Sequence, residues 1–437
     1  MKTVEDPSEP LFHHYCAYPG RGGAGLAADR LVRGLRRAGC CATLYGLEVD
    51  EERPHCREVP DLEGRMDRLW RWWRAFQLER LPAGYRGTTP VGTPFFSDRS
   101  CHGLAMTKTF SDAGLLHFHW MCDFLDYADS LARVPAGIPV VWTLHDMTPF
   151  TGGCSYSLGC DGHKSDCSVC PHVLTPLAQR EAARSHARKH KAMRSMRRRL
   201  VVVAPSRWLA DEARASRIFQ DVPCLTIPNG IDLKIFHPRL RAGARRSFDL
   251  EGPLPVLLFA ASNVGNPLKS IRVLRQAMES ACLNATNCRV IYVGEAPRHP
   301  LPDWWRWLGN LRTEAAMARC FAAADLTIVP SQADNFPNVV AESLASGTPV
   351  AASRVGGIPE LVKDGGNGFL FDPADAVQLA RQLERWLAFD SGERDQLRER
   401  ARLSAEAGVD LKQVSQQYTE LYRSLRAGDF AAHQVAG

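Results

Sequence analysis

The 437-residue chain contains no apolar run that approaches the ~18 residues needed to cross a bilayer. Its amino-terminal stretch, MKTVEDPSEP, is acidic and carries prolines, which is not typical of a secretory signal peptide. The net charge is only +6, and no motif that reads nucleic-acid bases is present, which argues against a nucleic-acid-binding module. These absences predict a cytoplasmic globular protein that does not bind nucleic acid.

Two motifs of nucleotide and metal chemistry are also missing. The stretch GRGGAG (residues 20–25) is rich in glycine but lacks the G-x-G-x-x-G spacing of the dinucleotide fingerprint. No Asp-x-Asp pair stands beside a predicted strand, where it could hold a divalent cation for catalysis. We therefore expect chemistry that requires no catalytic cofactor.

The sequence does contain two successive series in which short apolar runs alternate with helical patterns. Such an alternation predicts parallel sheets covered by helices on both faces. The length suits two domains. We predict an amino-terminal Rossmann-like domain over 1–228 with a cysteine-rich insertion at 150–172, a linker at 229–239, a second Rossmann-like domain over 240–405 and a helical tail at 406–437. Ligands of such sheets bind beyond the carboxyl ends of the strands.

The stretch PSQADNFPNVVAESLASGTPVAASRVGGIPE (residues 330–360) carries the strongest chemical signal. It follows a predicted strand, and Asn335 as N-cap with Pro337 in the first turn predicts the start of a helix. Backbone N–H groups at such a helix start favour phosphate. Asp334 and Glu342 flank this helix start, and carboxylates accept hydrogen bonds from sugar and ribose hydroxyls.

An acid followed eight residues later by Glu, then SGTPVAASRVGGIPELV, resembles the retaining family 4 glycosyltransferases, which have the GT-B fold of two facing Rossmann-like domains. By this resemblance, Asp334 binds hydroxyls of the donor sugar and Glu342 binds the ribose of the donor nucleotide. The family's first acid is usually Glu, so Asp334 is one methylene shorter. Further donor contacts are expected at Phe336, Pro337, Asn338 and Val339.

The resemblance extends to the loop AASNVGNPLKSIRVL, where Lys269 stands at the position of the family's lysine for the donor diphosphate. The family's arginine falls on Asn263 and its glycine on Ser270, so one cation is missing. The loop around Gly309, Asn310 and Leu311 resembles the segment that meets the nucleotide base.

In the first domain, GRGGAG resembles the family's glycine loop, with Gly22 and Gly23 at the donor phosphates. The stretch TLHD places His145 at the position of the family's histidine beside the transferred sugar. The stretch HFHW (residues 117–120) occupies a similar place. The predicted catalytic set is therefore His145, Lys269, Asp334 and Glu342, in a cleft between the domains.

Four cysteines, Cys154, Cys160, Cys167 and Cys170, have the spacing C-x5-C-x6-C-x2-C in a polar, glycine-bearing segment. This pattern predicts a structural Zn²⁺ site, because four thiolates complete a tetrahedral shell. Free or disulfide-linked thiols are the alternative, and His163 and His172 are substitute ligands. The segment resembles an insertion in the subgroup of colanic-acid-type exopolysaccharide enzymes.

Two segments suggest contact with a membrane surface. Residues 180–200 hold nine lysines and arginines against one glutamate, and residues 66–80 interleave arginines with three tryptophans. Such helices rest on anionic lipid surfaces, although solvated faces and packed tryptophans give the same pattern. With the resemblance, this predicts transfer of a sugar from a nucleotide sugar to a lipid-linked oligosaccharide. An epimerase of the same architecture is the alternative.

Overall fold

The protein is described by a computed structural model that covers residues 11–82, 85–89, 92–296 and 300–430. Its contacts divide the chain into two compact units. Unit 1 comprises residues 1–228 and 413–437, and unit 2 comprises residues 229–412. The chain thus leaves unit 1 after Pro228, where the predicted linker begins. The predicted linker itself belongs to unit 2, and most of the predicted tail belongs to unit 1 instead of forming a separate element.

Unit 1 is built on a seven-stranded parallel sheet in the order β3-β2-β1-β6-β7-β8-β9. The short strands β4 and β5 form a separate antiparallel pair. The strands are β1 Phe12–Tyr15, β2 Ala42–Gly46, β3 Cys56–Glu58, β4 Gly87–Thr88, β5 Pro94–Phe95, β6 Leu115–Phe118, β7 Val140–Thr143, β8 Leu200–Ala204 and β9 Cys224–Thr226. The helices are α1 Gly22–Arg37, α2 Arg65–Glu79, α3 Gly103–Thr107, α4 Tyr127–Leu131, α5 Pro176–Met196 and α6 Arg207–Ala215.

Unit 2 has a six-stranded parallel sheet in the order β12-β11-β10-β13-β14-β15. Its strands are β10 Val256–Asn263, β11 Arg289–Glu295, β12 Trp305–Trp307, β13 Leu326–Val329, β14 Val350–Ser353 and β15 Gly368–Phe371. Its helices are α7 Arg241–Ser247, α8 Ile271–Ser280, α9 Glu314–Ala323, α10 Asn338–Ala345, α11 Ile358–Leu361, α12 Ala376–Leu387 and α13 Ser391–Gly408. The last helix, α14 Leu411–Arg426, carries the chain back into unit 1.

Both sheets are buried on both faces, because successive side chains of a strand point to opposite sides. In β7, Val140 and Trp142 enter one apolar cluster of unit 1, whereas Val141 enters another. In β10, Leu258 and Leu257 divide in the same way between the two clusters of unit 2. The predicted α/β class with two doubly wound parallel sheets is therefore confirmed.

Along the part of the chain that the structure describes, no helix is both long enough and apolar enough to span a membrane.

Candidate functional site

In unit 2, three neighbouring strands end at one edge of the sheet, because β10, β13 and β14 are parallel and adjacent. The loop after β10 carries Lys269, and the loop after β13 carries Asp334. The backbone N–H of Gln332 donates to the carbonyl of Leu268 at 2.7 Å, which ties the two loops together. The topology thus brings together side chains that are 65 residues apart in the sequence.

Lys269 and Asp334 form an ion pair, with 2.5 Å between Nζ and Oδ2. The hydroxyl of Ser331 donates to the same carboxylate oxygen at 3.2 Å. The side chain of Asp334 is 9% exposed and that of Lys269 is 30% exposed, so the cation faces solvent more than its partner does. This geometry holds a positive charge at the sheet edge while neutralising a buried carboxylate.

Helix α10 begins at Asn338, two residues later than an N-cap at Asn335 would require. The carbonyl of Asn335 instead accepts the N–H of Gly357 at 3.0 Å, and the side chain of Phe336 packs into the core. Pro337 takes the N-cap position without a side-chain hydrogen bond. The sequence-based N-cap assignment was therefore wrong, because tertiary contacts of Asn335 and Phe336 hold these residues outside the helix.

Glu342 lies one turn into α10, at the spacing that places it on the same face as Asn338. Glu342 is 5% exposed and Asn338 is 9% exposed. Asn338 accepts a hydrogen bond from the side-chain amide of Asn229 at 3.1 Å. A buried carboxylate can accept hydrogen bonds from hydroxyl groups, which is the role that the family resemblance implies for Glu342.

The loop that carries Lys269 differs from the family pattern in two ways that the structure explains. Asn263 uses its side chain to accept the N–H of Gly265 at 2.9 Å, so it shapes the turn and supplies no cation. Ser270 has φ +49°, in the left-handed region that glycine adopts without cost. The backbone therefore retains the conformation that a glycine would favour, with a serine in its place.

The predicted base-contacting loop follows β12. Gly309 has φ +92°, and its carbonyl accepts the N–H of Gly294 at 3.0 Å. Asn310 is exposed, whereas Leu311 packs against the apolar cluster of unit 2. The structure thus leaves Asn310 accessible to a ligand and assigns Leu311 a packing role as well.

In unit 1, the predicted glycine loop follows β1 and leads into α1. Gly22 and Gly23 are exposed at the helix start. Gly25 is required for close approach, because an added Cβ would lie 2.1 Å from the carbonyl oxygen of Tyr18. The loop therefore presents exposed backbone at the carboxyl end of β1.

His145 follows β7 and joins a chain of three histidines that reaches into the sheet. Its Nε2 shares a hydrogen bond with Nδ1 of His119 at 3.2 Å, and Nε2 of His119 shares one with Nδ1 of His14 at 3.1 Å. Burial lowers the pKa of His145 to about 4 and that of His14 to about 3. The chain is therefore neutral near pH 7, and it orients His145 without adding charge.

A fourth histidine, His117, joins this group to the last helix. Its Nδ1 bonds the hydroxyl of Tyr422 at 2.6 Å, and its Nε2 bonds Oγ1 of Thr143 at 2.7 Å. Thr143 in turn bonds the hydroxyl of Tyr418 at 2.9 Å. Sequence reasoning missed this role of the tail. Its signal was two tyrosines four residues apart on a helix, which is the spacing of one face.

The four cysteines predicted to bind a metal line one small cavity in unit 1. All fourteen cysteines of the chain are free thiols in the structure. The structure therefore brings together the predicted ligands Cys154, Cys160, Cys167 and Cys170.

Comparisons with known proteins agree with this architecture. Residues 21–235 match the family described as Glycosyltransferase Family 4, and residues 254–388 match the family described as Glycosyl transferases group 1. The second match lies within unit 2, whereas the first covers most of unit 1 and extends seven residues into unit 2. The chain therefore contains a glycosyltransferase family 4 region followed by a group 1 glycosyltransferase region.

The curated relatives that match this chain include glycosyltransferases from several bacteria. The D-inositol 3-phosphate glycosyltransferase of Streptosporangium roseum is 31% identical over 36% of this chain, and the match covers 40% of that protein. The enzyme of the same name from Saccharomonospora viridis is 27% identical, with 70% of each chain covered. For the first relatives matched, the chain thus spans less than half of their length.

Solved structures show the fold. Sucrose-phosphate synthase from Thermosynechococcus elongatus has a TM-score of 0.67 and 21% identity, covering 96% of this chain and all of its own. Anabaena HepE, solved in complex with UDP and glucose, has a TM-score of 0.62 and 18% identity, covering 95% of this chain and all of its own. The predicted GT-B fold is confirmed, whereas the colanic-acid subgroup stays a prediction.

Proposed function

We propose that this protein transfers a hexose from a nucleotide sugar to an acceptor, with retention of configuration at the anomeric carbon. The observation that carries the proposal is the arrangement in unit 2, where Lys269 pairs with Asp334 and buried Glu342 lies at the start of α10. Anabaena HepE, which has the same fold, was solved with UDP-glucose, which supports a nucleotide-sugar donor.

The residues act as follows in the proposed reaction. Glu342 accepts hydrogen bonds from the ribose, and Asp334 accepts them from hydroxyls of the transferred sugar. Lys269 and the N–H groups at the start of α10 stabilise the charge that develops on the departing diphosphate. Because Asp334 already neutralises Lys269, a bound diphosphate competes with this carboxylate for the ammonium and leaves Asp334 available to the sugar.

The acceptor hydroxyl attacks the anomeric carbon on the face from which the diphosphate leaves, and a diphosphate oxygen takes the proton of that hydroxyl. The bond from the anomeric carbon to the diphosphate breaks, and the bond to the acceptor oxygen forms on the same side. Neutral His145 donates or accepts a hydrogen bond at the transferred sugar, a role that rests on the family resemblance. No protein nucleophile and no catalytic cofactor enters this scheme.

A screen of UDP-, GDP-, ADP- and TDP-sugars by thermal shift tests donor binding, because a ligand that binds the native state raises the melting temperature. We expect one nucleotide class to stabilise the wild type selectively and the Glu342→Ala variant to lose that shift. Glu399, an exposed acid on α13, provides the matched control Glu399→Ala. A shift that persists in Glu342→Ala would contradict the assignment.

Product analysis distinguishes the transferase from an epimerase. With donor alone, we expect slow hydrolysis at most and a sugar of unchanged configuration. A donor whose sugar changes configuration without an acceptor would establish the epimerase instead.

We further propose that the acceptor is a lipid-linked oligosaccharide of a cell-surface polysaccharide, reached from the cytoplasmic face of the membrane. Helix α2 supports this proposal, because it leaves Met66, Leu69, Trp72, Trp73 and Phe76 exposed. Its Arg74 is buried and contacts Asp126 at 3.0 Å and Asp129 at 2.5 Å, which fixes the helix to unit 1. An apolar stripe beside arginines suits the interface of an anionic bilayer.

Helix α5 contributes less surface charge than its sequence indicates. Lys189 is fully buried and donates to the carbonyls of Thr148 and Thr151, and Arg188 pairs with Asp98. Six cations remain exposed on this segment: Arg180, Arg184, Lys191, Arg194, Arg197 and Arg198. These still favour an anionic lipid surface.

Flotation with anionic liposomes at low salt tests the membrane contact. We expect the wild type to float with the vesicles and the double variant Trp72→Ala/Trp73→Ala to stay behind. Trp307→Ala, which removes an exposed tryptophan of unit 2, is the control. Failure of the wild type to float would overturn the membrane contact while leaving the donor site untouched.

A further inference from the structure

The cysteine-rich insertion contains a candidate site that the proposed transfer reaction does not use. One small cavity before the start of α5 is lined by all four cysteines of the C-x5-C-x6-C-x2-C pattern, with His163 and His172 beside them. Cys154, Cys167 and Cys170 are 6–7% exposed, and Cys160 is partly exposed. The four cysteines, spread over 17 residues of sequence, thus line the same cavity of unit 1.

One backbone N–H group points at a sulfur of this pattern, because the N–H of Gly162 donates to Sγ of Cys160 at 3.3 Å. Such a donor stabilises a thiolate more than a neutral thiol. The turn at Gly162 therefore suits negative charge on Cys160, the most exposed of the four sulfurs.

Cys167 has φ +55°, in the left-handed region that non-glycine residues seldom adopt. Such a conformation costs a side-chain-bearing residue roughly 1–2 kcal/mol, and it persists where the surroundings impose it. Cys167 opens the C-x2-C pair, and the strained backbone directs its sulfur to the same cavity as that of Cys170. This strain is an independent sign that the position of the sulfur matters.

The neighbouring histidines differ in their other contacts. Nε2 of His163 lies 2.9 Å from the carboxylate of Glu212, which engages that ring. Nε2 of His172 bonds the carbonyl of Ser157 at 2.9 Å, and its buried Nδ1 has no hydrogen-bond partner among the described residues. His172 is therefore the one competing ligand that the experiment has to separate from the cysteines.

We propose that Cys154, Cys160, Cys167 and Cys170 together bind one Zn²⁺ ion as four thiolates. The four thiols release their protons on binding, and the ion neutralises charge that the buried sulfurs could not otherwise carry. The four sulfurs lie farther apart in the structure than in a metal-bound cluster, so binding draws the side chains inward by rotation about χ1. With four protein ligands the shell is closed, and the ion is structural.

The ion would fix the segment that follows His145. Residues 151–173 connect the carboxyl end of β7 to α5, and within this segment the described residues contain only short turns and bridges instead of long helices or strands. Buried Lys189 of α5 already fastens the start of the segment through Thr148 and Thr151. A Zn²⁺ ion bound to the four cysteines would hold the rest of residues 151–173 in place.

The test is the metal content of the full-length protein, produced in zinc-supplied medium and purified under reducing conditions without chelators. We expect one zinc per chain by elemental analysis and by native mass spectrometry. Removal with a strong zinc chelator should lower the melting temperature and make four additional thiols reactive. Zinc well below one per chain, iron in its place, or a mass lower by two hydrogens per disulfide would each overturn the proposal.

Single Cys→Ser variants at the four positions are expected to lose the metal, while Cys282→Ser, which removes an exposed cysteine of unit 2, retains it. His172→Gln should also retain it, and loss there would overturn the ligand set. Because a Cys→Ser variant can fail to fold, Co²⁺-substituted wild type supplies a second readout. Intense thiolate-to-cobalt absorption in the near ultraviolet is expected, and its absence would overturn the thiolate shell. None of these measurements depends on the transfer reaction.

Discussion

The polar side chains at the strand ends are charged in unit 2 and neutral in unit 1. At the strand ends of unit 2, Lys269 forms an ion pair with Asp334, and the side chain of Lys269 is 30% exposed to solvent. Unit 1 places His145 at the end of a chain of buried rings, and burial lowers the pKa of His145 to about 4. Charge at one sheet edge suits a diphosphate, and a neutral hydrogen-bonding ring at the other suits a sugar hydroxyl. The two sheet edges thus offer different chemistry, an accessible cation in unit 2 and a neutral hydrogen-bonding ring in unit 1.

The largest effect is expected on the catalytic rate when the positive charge of Lys269 is removed. Lys269→Ala should lower kcat/KM by about 10²–10³-fold, because it deletes a donor to the charge that develops on the leaving diphosphate. Initial rates with the donor identified by thermal shift measure this loss. Lys234→Ala, at an exposed lysine of the same unit, is the control and should change the rate little.

The buried, neutral histidines of unit 1 predict that the stability of the fold decreases as the pH falls. The pKa of His14 is about 3 in the folded protein, against a usual value near 6.5, so the unfolded chain binds the proton first. Stability should therefore fall as pH drops from 6.5 towards 3, by about 1.4 kcal/mol per pH unit for this one group. Urea unfolding between pH 7 and pH 4 measures the slope.

The His14→Gln variant should show a shallower slope than the wild type, whatever its absolute stability. Val203→Ala, a core variant of the same sheet without a titratable group, should lower stability while keeping the wild-type slope. Equal slopes in wild type and His14→Gln would mean that His14 is not buried neutral in the folded state.

A smaller effect is expected at the tail. Tyr422→Phe removes the hydroxyl that bonds Nδ1 of His117 and leaves a buried ring nitrogen without that partner. The expected cost is about 1–3 kcal/mol of stability. Thermal unfolding measures it, and Tyr292→Phe in unit 2, where the ring is only partly buried, is the comparison. An unchanged melting temperature would show that the tail does not support the histidine group.

The smallest effect concerns the backbone beside Lys269. Ser270→Gly places glycine at a position with φ +49° and should stabilise unit 2 by roughly 0.5 kcal/mol, since relief of strain exceeds the entropy that glycine gains in the unfolded chain. The hydroxyl of Ser270 also donates to the carbonyl of Pro267 at 2.7 Å, which limits the gain. A lower melting temperature would mean that this hydrogen bond outweighs the strain.

The two units also differ in how well their polar residues could be predicted from the sequence. Asp334, Glu342 and Lys269 follow strands within recognisable motifs, so their placement at one edge could be predicted from parallel topology. The histidine group could not, because its members come from β1, β6, β7 and α14 and no local pattern links His117 to Tyr422, 305 residues away. The start of α10 was predicted too early for a similar reason, since a tertiary contact of Asn335 overrides its local preference for an N-cap.

Secondary structure shows the same limit. The strands β10 and β13 could be predicted from their apolar runs, whereas the three-residue strands β3 and β12 carry charged residues and offer no periodicity. Both lie at sheet edges, where one neighbour and one covered face suffice. Arg74 is a further case. It lies among the tryptophans of residues 66–80 in the sequence, but the structure buries it against two aspartates and leaves Trp72 and Trp73 exposed.

The central claim is that the carboxylates of unit 2 hold the nucleotide sugar, and calorimetric titration tests it most directly. Wild type and Glu342→Ala are titrated with the nucleotide sugar that stabilises the wild type most, with Glu399→Ala alongside. The account predicts that Glu342→Ala weakens binding at least tenfold, or about 1.4 kcal/mol, while Glu399→Ala binds as the wild type does. Equal affinity for wild type and Glu342→Ala would contradict it.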